Sequence, residues 1–369
     1  MNEPRQRTDR IPIAAPDLGP RERTRVLEVL ESGHLAEGEQ VAAFETEFAA
    51  WCNTTEAIAT SNGTTALHAA LEALGIGDGD RVLTTPFSFV ATANAIRHAG
   101  ATPIFADVSP DTLNLDPDRA EAIAADEPLD AILVVHLYGL PADMDRFRDI
   151  ASAHDLLLVE DAAQAHGATY RGQPVGSVGD VGCFSFYPTK NMTTGEGGMI
   201  VTDRNDVASR ARRFCNHGRS GTYEHQAVGH NFRMTDLAAA IGRVQLERLP
   251  DFIAARRTNA SALTTALEGS PLDLPPTPED RQHAFHQYTV RTGERERFRA
   301  ELDAAGIDTG VYYPTPIHRQ PAYETVAATL PTAEALRGGR VPQDRHPNSL
   351  PGQDQREAQR GIFTVPAPS

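Results

Sequence analysis

The chain has 369 residues, 40% of them hydrophobic, and carries 50 acidic against 34 basic side chains for a net charge of −16. That length allows two domains, or one large and one small. The acid excess speaks against a nucleic-acid or anionic-membrane surface, and no run of about 18 apolar residues marks a membrane-spanning helix. The opening MNEPRQRTDR is polar and lacks an apolar signal core, so a cytoplasmic protein is expected. The three cysteines (Cys52, Cys183, Cys215) are widely spaced, offer no metal-ligand pair and read as core residues of a reducing compartment. Only one of the 34 bases is a lysine, Lys190, and the remaining 33 are arginines. Acid excess with lysine depletion resembles halophilic proteins, although a GC-rich genome gives the same exchange of Lys for Arg.

Strand-like apolar runs stand at 56–60, 81–85, 102–107, 131–136, 156–161, 182–186 and 198–202. Helical patterns fall between several of them, as at 64–74 and 142–154. The alternation predicts an α/β fold with a mostly parallel central sheet in a large domain. From about 236 the sequence reads as a long helix leading to a smaller C-terminal α+β domain. The expected division is 1–250 for the large domain with an N-terminal arm, 251–336 for the small domain, and 337–369 for an irregular, atypical tail rich in Pro, Gly and Gln.

Four stretches carry chemistry. SNGTTAL at 61–67 places Gly63 and Thr64 between a strand and a helix, where backbone N–H groups and the helix dipole converge on one spot suited to phosphate. It also reads as an ordinary strand–helix loop with a Thr cap. PFSFVATANAI at 86–96 offers Phe89 or Phe87 for stacking on a flat ring, or for core packing. VEDAAQAHGA at 159–168 puts Asp161 at the carboxyl end of a strand, where such sheets bind ligands. There it could hold a heterocycle nitrogen protonated or cap the next helix, and Gln164 follows with an amide. In GCFSFYPTKN, Ser185 precedes Lys190, the chain's only side-chain amine. An amine forms a Schiff base with an aldehyde, which a guanidinium does not. A phosphate cradle, a ring stack, an acid for a ring nitrogen and an amine for an aldehyde together match pyridoxal 5′-phosphate.

These stretches, with VVHLYGLPADM, GEGGMIVT, NHGR, GHNFRMTDLAAAIGRVQL and VYYPTPIHRQPAY in the same order, resemble the DegT/DnrJ/EryC1/StrS aminotransferases over roughly residues 10–335. The resemblance implies the fold-type-I pyridoxal-phosphate architecture and a homodimer. It implies that Lys190 holds the cofactor, Asp161 pairs with the ring nitrogen, Gln164 meets the ring hydroxyl and Phe89 stacks on the ring. Gly63, Thr64 and Ser185 hold the phosphate, and Asn231 reaches it across the dimer interface. His318 and Tyr313 lie near the substrate. The implied partners are small molecules: an amino-acid donor, most often L-glutamate in this family, and a keto-sugar linked to a nucleotide. The alternatives are a sugar dehydratase-like enzyme or an impaired regulatory homologue; dehydratase relatives carry His where this chain has Lys190. Beyond about residue 336 the chain departs from the family's LPxHP segment and final amphipathic helix.

Overall fold

Seven short strands form one sheet: β1 (Glu56–Thr60), β2 (Arg81–Thr84), β3 (Thr102–Phe105), β4 (Ala131–Val135), β5 (Leu157–Asp161), β6 (Val181–Ser185) and β7 (Gly198–Thr202). They correspond to the seven runs expected from the sequence, each within one or two residues at its ends. The computed structural model describes residues 10–324, 326, 328–336 and 361–365. The spatial order is β1-β7-β6-β5-β4-β2-β3. Pairings among β3, β2, β4, β5 and β6 are parallel, and only β7 runs against the others. β4 reads AILVV and is buried along its whole length, as a strand covered on both faces must be.

Helices α1 (Pro20–Ser32), α2 (Glu39–Cys52), α3 (Gly63–Leu74), α4 (Ala91–His98), α5 (Pro117–Asp126), α6 (Met144–His154), α7 (Asn205–Cys215) and α8 (Asp236–Leu267) follow in chain order. Their ends obey local chemistry. The Asn62 side chain accepts from Thr65 N at 3.0 Å and starts α3, and Thr235 Oγ1 accepts from Ala238 N at 3.2 Å and starts α8. Such caps satisfy amides left open at a helix start. One apolar layer sets α3 and α4 against the sheet through Leu67, Leu71, Ile96 and Leu133. Another sets α2 and α8 against its other face through Phe44, Phe48, Phe184 and Leu249. Among the described residues no helix is long and apolar enough to cross a membrane.

α8 is continuous across residue 250, where the sequence suggested a division, and contains Pro250. Beyond it, β8 (Tyr288–Thr292) and α9 (Arg295–Ala304) share a small core of Tyr288, Val290, Phe298 and Leu302. The N-terminal arm touches this part directly, with Ile11 N donating to Gly306 O at 2.8 Å.

The tail corrects one expectation. Residues 361–365 form β9 (Gly361–Val365), antiparallel to β8, with Thr364 Oγ1 3.0 Å from Thr289 Oγ1. GIFTV is a short β-forming run, hidden when composition is averaged over a Pro- and Gly-rich stretch. The rest of the expected tail lies outside the described residues.

Candidate active site

The carboxyl ends of β1, β2, β5 and β6 open onto one cavity of about 880 Å³. Gly63, Thr64, Phe89, Asp161, Gln164, Ser185, Lys190 and Tyr313 all line it. This is where a parallel α/β sheet presents its loops to a ligand.

At one end, α3 begins almost in contact with β6. A Cβ added to Gly63 would stand 2.7 Å from Ser185 Cβ and 3.2 Å from its Oγ. Only a residue without a side chain lets the helix N-terminus and the Ser185 hydroxyl converge this closely. The result is a cradle of first-turn amides, hydroxyls and a positive helix end, suited to a phosphate.

At the other end, Asp161 is 4% exposed. Its carboxylate accepts from Thr92 Oγ1 at 2.8 Å and from Ala163 N at 3.1 Å. Ser88 Oγ lies 2.9 Å from Thr92 Oγ1; because Thr92 donates to Asp161, Ser88 donates to Thr92. Burial raises the Asp161 pKa, and the hydrogen bonds from Thr92 and Ala163, with the charge of Lys190, only partly oppose it. No cation lies within hydrogen-bonding distance of the carboxylate among the described residues. A buried acid so placed suits a cationic N–H.

Lys190 is partly buried at the cavity wall. Burial pulls its pKa from 10.5 down to about 8, against the opposing pull of Asp161. Its amine is therefore substantially free base slightly above neutral pH, the form that attacks an aldehyde.

The two candidate aromatics separate cleanly. Phe87 is fully buried in the core, whereas Phe89 is 57% exposed at the cavity rim beside Tyr313, with ring centroids 6.4 Å apart. Gln164 is held at both ends: Oε1 accepts from Tyr138 N at 2.8 Å, and Nε2 donates to Tyr313 Oη at 3.0 Å.

His318 does not join this group. It is 3% exposed, its Nε2 lies 3.2 Å from Glu334 Oε1, and its ring packs 6.4 Å from Phe105. Tyr312 and Tyr313 reach the cavity, but the chain then turns through Pro314 and Pro316. Ile317 N is anchored on Pro86 O at 2.7 Å, which carries His318 away from the cavity. Asn231 is exposed, does not line the cavity and accepts from Arg233 Nε at 3.0 Å. His230 and Phe232 line the cavity instead, as alternation along an extended segment requires.

Sequence reasoning passed over the residues behind Asp161. Glu160 is fully buried and accepts from His136 Nε2 at 2.9 Å and from the amides of Gly176, Val178 and Gly179 at 2.7 Å each. His136 Nδ1 accepts from Ala142 N at 3.0 Å, which leaves Nε2–H to donate to Glu160. Burial alone would raise the Glu160 pKa, but His136 and these amides outweigh it and the net shift is downward. The only sequence signal was an acid next to Asp161 at the end of an apolar strand. Thr92 gave less, being one hydroxyl in a helix start.

The donor set fits pyridoxal phosphate: a cradle closed to any Cβ, a buried acid with no cation hydrogen-bonded to it among the described residues, an exposed aromatic at the rim and an amine with a lowered pKa. The comparisons agree with the geometry. The model of the DegT/DnrJ/EryC1/StrS aminotransferase family matches residues 16–347. A protein of Geobacillus stearothermophilus named a pleiotropic regulatory protein is 43% identical over 318 residues, covering 84% of this chain and 85% of the relative. The dTDP-3-amino-3,4,6-trideoxy-alpha-D-glucose transaminase of Streptomyces venezuelae is 42% identical over 316 residues, covering 84% and 83%. The crystal structure of S. venezuelae DesV superposes with a TM-score of 0.84 at 38% identity, covering 94% of this chain and 88% of that one. The chain belongs to the DegT/DnrJ/EryC1/StrS aminotransferase family, whose cofactor is pyridoxal 5′-phosphate.

Proposed function

We propose that this enzyme moves an amino group from an amino acid, L-glutamate foremost, to a keto-sugar carried on a nucleotide, in the building of amino sugars. The observation that carries this reading is the placement of the chain's only lysine, with Asp161, in the cavity headed by the Gly63–Ser185 cradle. The similarity to a nucleotide-sugar transaminase supports the acceptor class.

Gly63, Thr64 and Ser185 would hold the cofactor's phosphate, Asp161 its ring nitrogen, Gln164 its ring hydroxyl and Phe89 a ring face. When bound, pyridoxal phosphate supplies an electron sink for the pair left on a substrate carbon that loses a proton. Asp161 sustains that sink by keeping positive charge at the ring nitrogen. Lys190 Nζ takes the α-proton from the donor as a general base and returns it as a general acid. A pKa of about 8 suits both roles. Tyr313, fixed by Gln164, narrows the mouth through which the sugar enters.

The working unit in this reading is a homodimer. Asn231 faces outward beside a cavity of about 450 Å³ lined by Arg212, Arg213, Arg219 and Arg233. Glu37 lines the same cavity 3.9 Å from Arg233, and Arg212 is paired with Glu45 and Glu56. Among the described residues Arg213 and Arg219 make no ion pair, and they suit the anionic groups of a neighbouring copy's site. Mixing the two inactive variants Lys190→Ala and Asn231→Ala then restores part of the activity, because one site of the mixed dimer is intact. No restoration in a proven mixed dimer refutes the shared site.

The deciding experiment is an absorbance spectrum of the purified protein with pyridoxal phosphate, before and after L-glutamate. A visible band that forms and is then lost to the amine form of the cofactor supports the reading. A band indifferent to every amino donor overturns it and favours dehydration or another reaction on the same fold.

A further inference from the structure

A second cavity of about 180 Å³ lies beyond Lys190, and nothing in the scheme above uses it. Thr189, Lys190, His286 and Gln287 line both cavities, so the two adjoin across the segment that carries Lys190. The smaller one is closed on its outer side by the N-terminal segment 11–17.

Its lining is polar in a particular way. Arg256 Nη1 donates to the carbonyls of Phe285 at 3.1 Å and His286 at 3.3 Å. No carboxylate pairs with this guanidinium among the described residues. Burial alone pulls its pKa down to about 10. A cation taken out of water without a counter-ion is costly, and one held by fixed carbonyls is ready for an anion. His286 is 7% exposed and its Nδ1 has no hydrogen-bond partner. Burial keeps that imidazole neutral, helped by the charges of Lys190 and Arg256. Asn191 is 4% exposed, with Nδ2 donating to His166 O and Ala284 O, while its Oδ1 is unpartnered. Among the described residues Asp17 is the only acid lining this cavity, and Arg248 already pairs with it.

We propose that this second cavity receives the distal carboxylate of a dicarboxylic amino donor, with Arg256 as its counter-ion and His286 as a neutral hydrogen-bond partner. The proposal rests on the transaminase reading and sharpens it. A donor whose amine stands at Lys190 extends its side chain past Thr189 into this space. A monocarboxylic donor such as L-alanine leaves Arg256 uncompensated, so the site selects for the second charge.

The test is calorimetric titration of the cofactor-loaded enzyme with glutarate, which has two carboxylates and no amine, and with butyrate, which has one. Glutarate binds the wild type at least tenfold more tightly than butyrate. Arg256→Gln keeps a donor for the two carbonyls but removes the charge; it weakens glutarate tenfold to a hundredfold and erases its advantage over butyrate. Arg256→Lys recovers part of the loss. Ile13→Glu, on the partly exposed segment closing the cavity, brings in a competing carboxylate and weakens glutarate without touching Arg256. Equal binding of the two acids by the wild type overturns the proposal, as does glutarate affinity indifferent to both Arg256→Gln and Ile13→Glu. The two readings fail separately. If glutarate binding depends on Arg256 but L-glutamate never discharges the absorbance band, the transamination reading fails and the carboxylate site stands. If L-glutamate discharges the band with an unchanged half-saturation in Arg256→Gln, the carboxylate site fails and transamination stands.

Discussion

Replacing Gly63 by alanine adds one carbon at the tightest point of the site. The new Cβ would lie 2.7 Å from Ser185 Cβ and 3.3 Å from Ser185 Cα. Carbon atoms in good contact stand about 3.5–4.0 Å apart, so α3 or β6 must yield by roughly an ångström. Neither is free to do so, since Ser185 is in register with Gly198 of β7 and Asn62 is bonded to Thr65 at the helix start. Overpacking of this kind costs about 1–3 kcal/mol, and the better helix propensity of alanine recovers up to about 1 kcal/mol. The effect on stability is therefore modest. The effect on the phosphate is larger, because first-turn amides and the Ser185 hydroxyl no longer converge. Losing one hydrogen bond to a charged group costs about 1.5–3 kcal/mol, or about a tenfold to hundredfold weaker hold on pyridoxal phosphate. The assay is a titration of cofactor-free protein with pyridoxal phosphate, alongside denaturant unfolding. Gly75→Ala is the control at the far end of the same helix. Gly75 has φ 91° and nothing within 4 Å of a new Cβ, so it loses stability through backbone strain and keeps its cofactor affinity. A Gly63→Ala protein that binds pyridoxal phosphate as tightly as the wild type refutes the cradle.

Three further outcomes follow from the same geometry. Lys190→Arg keeps a positive charge in the cavity but abolishes turnover and the visible band, and a turning-over Arg variant would remove Lys190 from the mechanism. Because the folded pKa of Lys190, about 8, lies below its ordinary 10.5, between those values the unfolded chain holds a proton that the folded chain lacks. Stability of the cofactor-free protein therefore rises with pH across that window relative to Lys190→Met, and identical pH profiles for the two would contradict the assignment. Glu160→Gln turns an amide NH₂ toward the N–H groups of the 176–179 turn and destabilises the protein by at least about 1–3 kcal/mol. With its pKa lowered, Glu160 contributes stability above its ordinary 4.5 that is lost as pH falls through the folded value; denaturant midpoints for wild type and variant should converge in acid.

The sheet was legible because its strands are written as short apolar runs whose polar residues fall at or near their ends. The site was legible where one residue type has few other uses, as with the single lysine among arginines. It was less legible where the signal is relational. Glu160 and His136 are separated by 24 residues, and only the β4–β5 pairing brings them together. His318 sits five residues beyond Tyr313, and the family resemblance set both near the substrate. Pro314, Pro316 and the anchor on Pro86 send it elsewhere. Arg256 reads as one more arginine on a long helix, and that no acid pairs with it among the described residues is a property of the fold alone.

The two central groups explain why the cavity suits its cofactor. Burial acts on both, raising the pKa of Asp161 and lowering that of Lys190, and each attracts the other's charge without offsetting the desolvation. Left alone, such a pair is a liability, because the interior disfavours both charged forms. A ligand with a cationic ring N–H at one end and an aldehyde at the other relieves both. It gives Asp161 a counter-charge and engages the free base of Lys190. Binding and reactivity then have one origin: the desolvation that holds the acid and the amine off their ordinary values is the property the ligand repairs. The Ser88–Thr92 chain and the Glu160–His136 pair keep Asp161 fixed while it waits.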